Sequence, residues 1–376
     1  MTASPLFEPL ALRGLTLENR VVVSPMCQYS ATDGLVDEWH FAHYAALAKG
    51  GAAVVFVEAT AVEARGRITH GCTGLWSDEQ VPGLKRIAEL IRRFGALPAI
   101  QLAHAGRKGS MQRPWHGNGP LDRSDVARGE HAWAIVSSSP LALDRGWLVP
   151  RALGLDEIPA LLESYRAAAR RAREAGFEIV EVHGAHGYLL NEFLSALCNE
   201  RSDAYGGSFE KRLRLPLEVA EAVRSEWPED RPVFYRTSAV DEAAGGIEIE
   251  DTVALARALK ARGIDVIDCS SGGIARASAT NKPVPEEPGC YVPFARAVKC
   301  GAEIATMAVK LIREPKHAER IIAEGSADLV AVGREFLRNP NWALLAAERL
   351  SADPELELWP EQYGWWLLRR KKLQGY

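Results

Sequence analysis

Short runs of β-branched and apolar residues alternate along this chain with longer stretches whose apolar positions recur at helical spacing. The strand-like runs are Val21–Val23, Ala53–Val57, Ala99–Leu102, Glu178–Val182, Val233–Arg236, Asp265–Asp268, Glu303–Thr306 and Leu329–Val332. Helical patterns lie between them, clearest over Ile158–Ala175 and Thr252–Arg262. Each of those two is closed by a glycine, Gly176 and Gly263, and the next strand follows at once; glycine is the common stop for a helix. Continuous alternation implies a parallel sheet, because parallel strands need helical crossovers. Eight such units in a row suit a closed (β/α)8 TIM barrel better than an open doubly wound sheet.

Two long insertions break the rhythm. Residues 108–150 follow the third strand and are rich in Pro, Gly, Trp and Arg; residues 191–211 follow the fourth and contain Tyr205-Gly206-Gly207-Ser208. Loops after barrel strands lie on the catalytic face, so both are expected to wall it. With no internal repeat or low-complexity segment, the whole chain 1–376 reads as a single domain.

Composition narrows the class. A chain of 376 residues, 47% hydrophobic and 25% charged, can bury a large core without disulfide or metal staples. A formal charge of -4 gives no footprint for nucleic acid; the basic cluster Arg369, Arg370, Lys371, Lys372 reads as a solvated helix end. Met1 to Pro9 lacks the features of a signal peptide, and no stretch approaches the roughly 18 apolar residues that cross a bilayer. Cys27, Cys72, Cys198, Cys269, Cys290 and Cys300 form no CxxC pair, a pattern of reduced thiols and not of a disulfide framework or zinc site. A cytoplasmic enzyme acting on small molecules, away from membranes and nucleic acid, is expected.

A barrel places its active groups at the strand ends. Here the first strand runs into Ser24-Pro25-Met26-Cys27-Gln28-Tyr29, and the third into Gln101 and His104-Ala105-Gly106-Arg107-Lys108. The fourth ends at His183-Gly184-Ala185-His186-Gly187-Tyr188, the fifth supplies Arg236, and the eighth delivers Gly333-Arg334. The histidine pair admits three readings. HxxH spacing suits a metal, but no further ligand cluster lies nearby; both rings could be plain buried histidines. In the favoured reading both donate hydrogen bonds to one substrate oxygen, stabilising the charge that grows there, with Tyr188 as proton donor on the same loop.

The segments SPMCQY, VEATAV, GRIT, QLAHAGRK, HGAHGYLLNEFLS, RSDAYGGS and VGRE together resemble the old yellow enzymes, and more narrowly their thermophilic-like branch with the xenobiotic reductases. The likeness runs from Leu6 to about Asn341. It implies a (β/α)8 barrel, and the count of eight units leans partly on it; it also implies bound FMN, hydride uptake from NADPH or NADH, and ping-pong reduction of alkenes conjugated to a carbonyl or nitro group. Carried over residue by residue, it implies that Ser24, Pro25, Met26 and Cys27 line the flavin. Ala59 and Gln101 contact its ring, Arg236 sits by the N1–C2 carbonyl, and Gly333 and Arg334 hold the phosphate. His183 and His186 bind the substrate oxygen, Tyr29 reaches substrate, and Cys27 tunes the flavin without acting as a nucleophile. A tail over residues 355–376 is implied to carry Trp366 into the active site of a neighbouring subunit, in a homodimer or homotetramer.

The sequence departs from this pattern in Thr306-Met307-Ala308-Val309-Lys310, where the relatives read T-G-A-V-G and bring backbone N–H groups to the phosphate. If Met307 or Lys310 needs a positive φ, the loop there is strained. The segment Gly272 to Pro288, with Lys282, is also unusual. Two rivals stand beside the ene-reductase: a flavin-dependent amine demethylase on the same barrel, and a barrel that has lost FMN and only binds ligands.

Overall fold

The computed structural model describes residues 4–274, 284 and 286–374. Lys282 and most of the segment around it therefore lie outside the described residues, as do the last two residues of the tail. The chain first makes a small antiparallel hairpin, Leu10–Leu12 with Leu15–Leu17. Eight parallel strands then close into a barrel: β1 Val21–Val23, β2 Val54–Ala61, β3 Leu97–Ala103, β4 Ile179–Gly184, β5 Val233–Ser238, β6 Val266–Ser270, β7 Ala305–Ala308 and β8 Leu329–Val332. Each strand pairs with its neighbours in sequence, and β8 returns to β1 with Val330 opposite Val21. The outer helices are α1 Glu38–Ala48, α2 Val81–Arg93, α3 Ile158–Glu174, α4 Phe209–Glu226, α5 Ile249–Lys260, α6 Val292–Ala302, α7 Pro315–Ala323 and α8 Trp342–Arg349, with α9 Glu361–Gln374 at the end of the chain.

Local chemistry sets these boundaries. Asp37 accepts the Trp39 N–H and starts α1 with a capping box. α5 begins three residues earlier than its apolar pattern suggests, because Glu248 and Asp251 form a capping box there. Gly176 and Gly263 both adopt positive φ, +86° and +83°, the left-handed turn that only glycine takes without cost.

The seventh strand lies two residues later than its pattern, over Ala305–Ala308 instead of Glu303–Thr306. Glu303 belongs to the end of α6, as a left-handed cap at φ 49°. Met307 is therefore inside the barrel and not in the loop above it.

Two apolar layers hold the assembly together. One lies between strands and helices, with residues such as Leu84, Ile100, Leu161, Val182 and Phe336 fully buried. The other plugs the barrel base: Phe56, Phe234, Met307 and Leu329 pack inside, and Leu12 and Leu17 of the hairpin close it from below. Burying each such side chain contributes roughly 1.5–3 kcal/mol, which fixes the strands that carry the polar groups above.

The first insertion is held by its own ion pairs and one short strand contact. Val136–Ser137 pairs with Arg151–Ala152. Arg113 donates to Glu130 at 2.7 Å, and Arg128 pairs with the fully buried Asp125. At the other end of the molecule α9 leaves Trp365 and Trp366 55% and 66% exposed. Among the described residues no helix is long and apolar enough to cross a membrane.

Candidate active site

The site is assembled where β1, β4, β5, β6 and β8 end. Ser24 continues β1, its N–H donating to the Val332 carbonyl of β8 at 3.0 Å. The turn that follows is held from beneath by Glu58, whose Oε2 accepts the Gln28 N–H at 2.7 Å. Glu58 sits in a register shift of β2 between Val57 and Ala59, a bulge that re-aims the side chains on either side of it. Tyr29 takes φ +51°, and Arg113 from the first insertion donates to its carbonyl.

β4 ends in a tight backbone crossing. His186 has φ +61°, its N–H donating to Ser238 Oγ at 2.8 Å. Gly187 runs so close to Gly273 that a Cβ would meet its carbonyl oxygen at 2.2 Å, so no larger residue fits. The His183 ring lies 5.1 Å from His186 and 5.0 Å from Tyr188, edge-on to both. Ala185 N–H donates to His183 Nδ1 at 3.4 Å, which places the ring proton on Nε2. His186 Nε2 shares a hydrogen bond with Ser270 Oγ at 2.6 Å.

Electrostatics fix the protonation states. Burial pushes both imidazoles well below their usual range, and Arg236 and Lys108 push further in the same direction. Both histidines are therefore neutral donors, not cations. Burial also raises the Tyr188 phenol far above its ordinary value, helped by Cys27 and Cys72, so it keeps its proton until a strong base appears. The Cys27 thiol is raised by burial and then by Glu58; a thiol held protonated is a poor nucleophile.

A cleft of about 610 Å³ opens beside these groups, lined by Ser24, Met26, His186, Arg236, Gly333 and Arg334. Six of the anticipated site residues thus meet around one cavity. Lys310, Arg313, Arg334 and Arg338 ring its outer end. Deep inside, Arg236 donates to Ser24 Oγ at 3.4 Å, and its Nε faces Asp268 Oδ2 at 3.2 Å. Cations at one end of the lining and the buried Arg236 guanidinium at the other fit a phosphate joined to a planar polar ring system. FMN has that form, so the residues present fit the cofactor.

The remaining anticipated residues divide. Ala59 and Tyr188 line a narrow recess with Ile68 and Cys72, and Cys27, Tyr29 and Tyr188 pack on the same apolar patch. Gln101 is buried and donates to Glu181 at 2.7 Å. Pro25 is half-buried in the β1 turn. Trp366 is not brought to this cleft within the single chain.

Met307 is 0% exposed in the apolar plug, which corrects the expectation that it stands beside the phosphate. Lys310 does line the cleft, at φ 87°, the strained conformation expected if the position calls for glycine. Its Nζ lies 3.3 Å from Glu286 and 5.2 Å above the Tyr291 ring.

The metal reading of the histidine pair gains no ligands. Among the described residues the one grouping with metal-like spacing is His116, Asp125 and Glu130 in the first insertion, and its carboxylates already serve Arg128, Gln112 and Arg113. Three residues, Ser270, Glu181 and Asp268, escaped the sequence reading, and Lys108 entered it only within the strand-end run, without a role. Lys108 donates to the His186 carbonyl at 2.6 Å, and Ser270 holds the His186 ring. Glu181 and Asp268 are fully buried; the available signal was an acid in the middle of each of two otherwise apolar strands.

A closed parallel barrel with neutral imidazoles, a phenol and a cation-ringed cleft at its C-terminal rim has the build of a flavin oxidoreductase. Residues 5–353 match the model of the NADH:flavin oxidoreductase / NADH oxidase family. The chain is 43% identical over 347 residues to an NADPH dehydrogenase of Halalkalibacterium halodurans, covering 92% of this chain and 94% of the relative. It is 44% identical to an NADPH dehydrogenase of a Geobacillus species over the same shares. Among solved structures, morphinone reductase in complex with tetrahydroNAD superposes with TM-score 0.72 at 29% identity, covering 92% of this chain and 91% of that one. The old yellow enzyme homologue from Zymomonas mobilis gives 0.73 at 28% identity, over 92% of each chain. The chain belongs to the NADH:flavin oxidoreductase family, as an FMN-dependent oxidoreductase of the old yellow enzyme type.

Proposed function

We propose that this protein is an ene-reductase that draws reducing equivalents from NADPH or NADH and reduces the C=C bond of alkenes conjugated to a carbonyl or nitro group. One observation carries the reading: two neutral imidazoles and a phenol that keeps its proton stand in edge contact beside the cation-ringed cleft. Relatives named NADPH dehydrogenase support the nicotinamide donor.

Ser24, Pro25, Met26, Cys27, Ala59, Gln101 and Arg236 would hold the ring of FMN, and Gly333, Arg334 and Lys310 its phosphate. When bound, the cofactor supplies hydride transfer. The chain's own residues do the rest. His183, protonated on Nε2, donates to the substrate oxygen; His186 joins it by exchanging Ser270 for that oxygen. Donors already held near that oxygen in a dry site stabilise charge with little reorganisation, confined here to the His186–Ser270 exchange. Tyr188 delivers the proton to the α-carbon, while Tyr29 and the apolar patch around Ile68 and Cys72 bound the substrate. Nicotinamide and alkene take turns at one cleft, so ping-pong kinetics are expected. The protein works as a homodimer or homotetramer in the cytoplasm, with Trp366 of one subunit reaching its neighbour's cleft.

The test is a visible spectrum of the purified protein, followed by anaerobic NADPH and then cyclohexenone. A flavin band that bleaches and returns is the expected result. A band that bleaches but ignores every activated alkene overturns the alkene reading in favour of amine oxidation. A colourless protein that takes up no added FMN overturns the cofactor.

A further inference from the structure

The interior of the barrel changes character along its axis. Above the apolar plug lies one polar tier: Gln101 on β3, Glu181 on β4, Arg236 on β5 and Asp268 on β6, all buried and on consecutive strands. Arg236, in the same tier, also lines the floor of the cleft. Gln101 Nε2 donates to Glu181 Oε1 at 2.7 Å, so one N–H of its amide is committed to the acid. That bond leaves the amide oxygen and the second N–H unused. Arg236 Nε lies 3.2 Å from Asp268 Oδ2. Glu181 Oε2 and both Asp268 oxygens have no hydrogen bond among the described residues. Two buried carboxyls thus face one guanidinium, an arrangement that costs more than an apolar pair of similar volume. Stability gives no reason to keep it.

We propose that Glu181 and Asp268 are positioning residues for the redox cofactor, Glu181 fixing the face that the Gln101 amide offers the flavin and the two acids together setting the positive charge that Arg236 presents to it. The proposal rests on the reading that FMN occupies this cleft. The charged groups acting on Glu181 are Asp268 from β6 and Arg236 from β5, with the Gln101 amide from β3. Burial first, then Asp268, pushes the Glu181 carboxyl up to about 8, against the pull of Arg236 and Gln101. Burial raises the Asp268 carboxyl too, and the Arg236 guanidinium opposes that rise; the tier's negative charge is assigned to Asp268 because it is the acid that touches the cation. At neutral pH the tier then holds a protonated Glu181, an Asp268 anion and an Arg236 cation, and is balanced. When Glu181 ionises, the tier gains a negative charge beneath the ring, which disfavours the electron-rich reduced flavin.

The experiment is the midpoint potential of the holoenzyme by dye equilibration from pH 6.5 to 9.5, for wild type, Glu181→Gln and Asp268→Asn, with FMN affinity measured alongside. Wild type should show an additional downward break near pH 8 that Glu181→Gln lacks, while the two agree at pH 7. Asp268→Asn should move the break to lower pH, because Asp268 no longer raises Glu181, and should sit above wild type on the acid side of that break, where Arg236 is no longer neutralised. A purely structural pair would move the melting temperature and leave the potentials in place. A wild-type curve without the break, or a Glu181→Gln curve that keeps it, overturns the proposal. If Glu181→Gln takes up no flavin, the wild-type curve and Asp268→Asn decide alone. Wild type that binds no FMN overturns the cofactor reading instead.

Discussion

Neutral His183 and His186 can hold a developing oxyanion only by hydrogen bonding, since burial, and then Arg236 and Lys108, keep them from becoming cations. In the proposed reaction their contribution is therefore geometric, and it concerns the alkene more than the nicotinamide. His183→Asn is expected to slow reoxidation of the reduced enzyme by cyclohexenone about 10²- to 10³-fold and to leave reduction by NADPH within a few-fold. Tyr188→Phe should cost reoxidation about 10²-fold or more. Rapid-mixing measurement of the two half-reactions checks both variants; equal losses in both halves would remove the assigned roles. Lys310 poses a separate test at this scale. At φ 87° a non-glycine residue is strained by about 1–2 kcal/mol, so Lys310→Gly should leave the apoprotein's melting temperature equal or higher. The same change should weaken FMN about ten-fold or more, through loss of a charge-assisted contact. Unchanged FMN affinity would mean that the lysine serves Glu286 and Tyr291 alone.

At the scale of elements, the bulge in β2 has a pH signature. Burial raises Glu58 from 4.5 to about 8, against hydrogen bonds from the Gln28 and Tyr29 backbone. Because the folded value lies above the unfolded one, the protonated acid favours the fold below about pH 4.5, and that contribution fades as pH rises through 8. The amount is of the order of a few kcal/mol. Glu58→Gln should therefore flatten the fall in melting temperature between pH 5 and 9, and scanning calorimetry of the pair tests this. Parallel pH curves for the two proteins would show that Glu58 does not titrate in that window.

The strands were legible as short apolar runs between helical stretches, two of them closed by Gly176 and Gly263, though the count of eight leaned partly on the family likeness. Their ends were less so, since caps such as Glu303 and the Glu248–Asp251 box are made by side chains that periodicity does not weigh. The strand ends that build the site could be read as a set, and six of their residues meet in one cleft. What escaped was contact across strands. Met307 looked like a loop residue until β7 shifted by two. Ser270, Glu181 and Asp268 act through neighbours far away in sequence, and no spacing rule reports such partners.

At the scale of the whole molecule, α9 carries a run of large apolar side chains in solvent: Tyr363, Trp365, Trp366 and Leu373 are 44%, 55%, 66% and 84% exposed. A single chain gains nothing from such exposure, and contiguous patches of this kind mark contact surfaces. If Trp366 completes a neighbour's cleft, Trp366→Ala should change KM or kcat for the alkene at unchanged melting temperature. Kinetic constants that stay at wild-type values would confine the tail to its own subunit.

The N-terminal hairpin has a consequence for traffic. Leu12 and Leu17 seal the barrel from beneath, so whatever reaches the cleft enters and leaves through the opposite face. A donor and an acceptor that share one doorway cannot pass each other. Each is then expected to obstruct the other at high concentration, and turnover should decline when either is raised far above its KM at a fixed level of its counterpart. Steady-state rates that climb to a plateau and hold it for both would mean a second entrance.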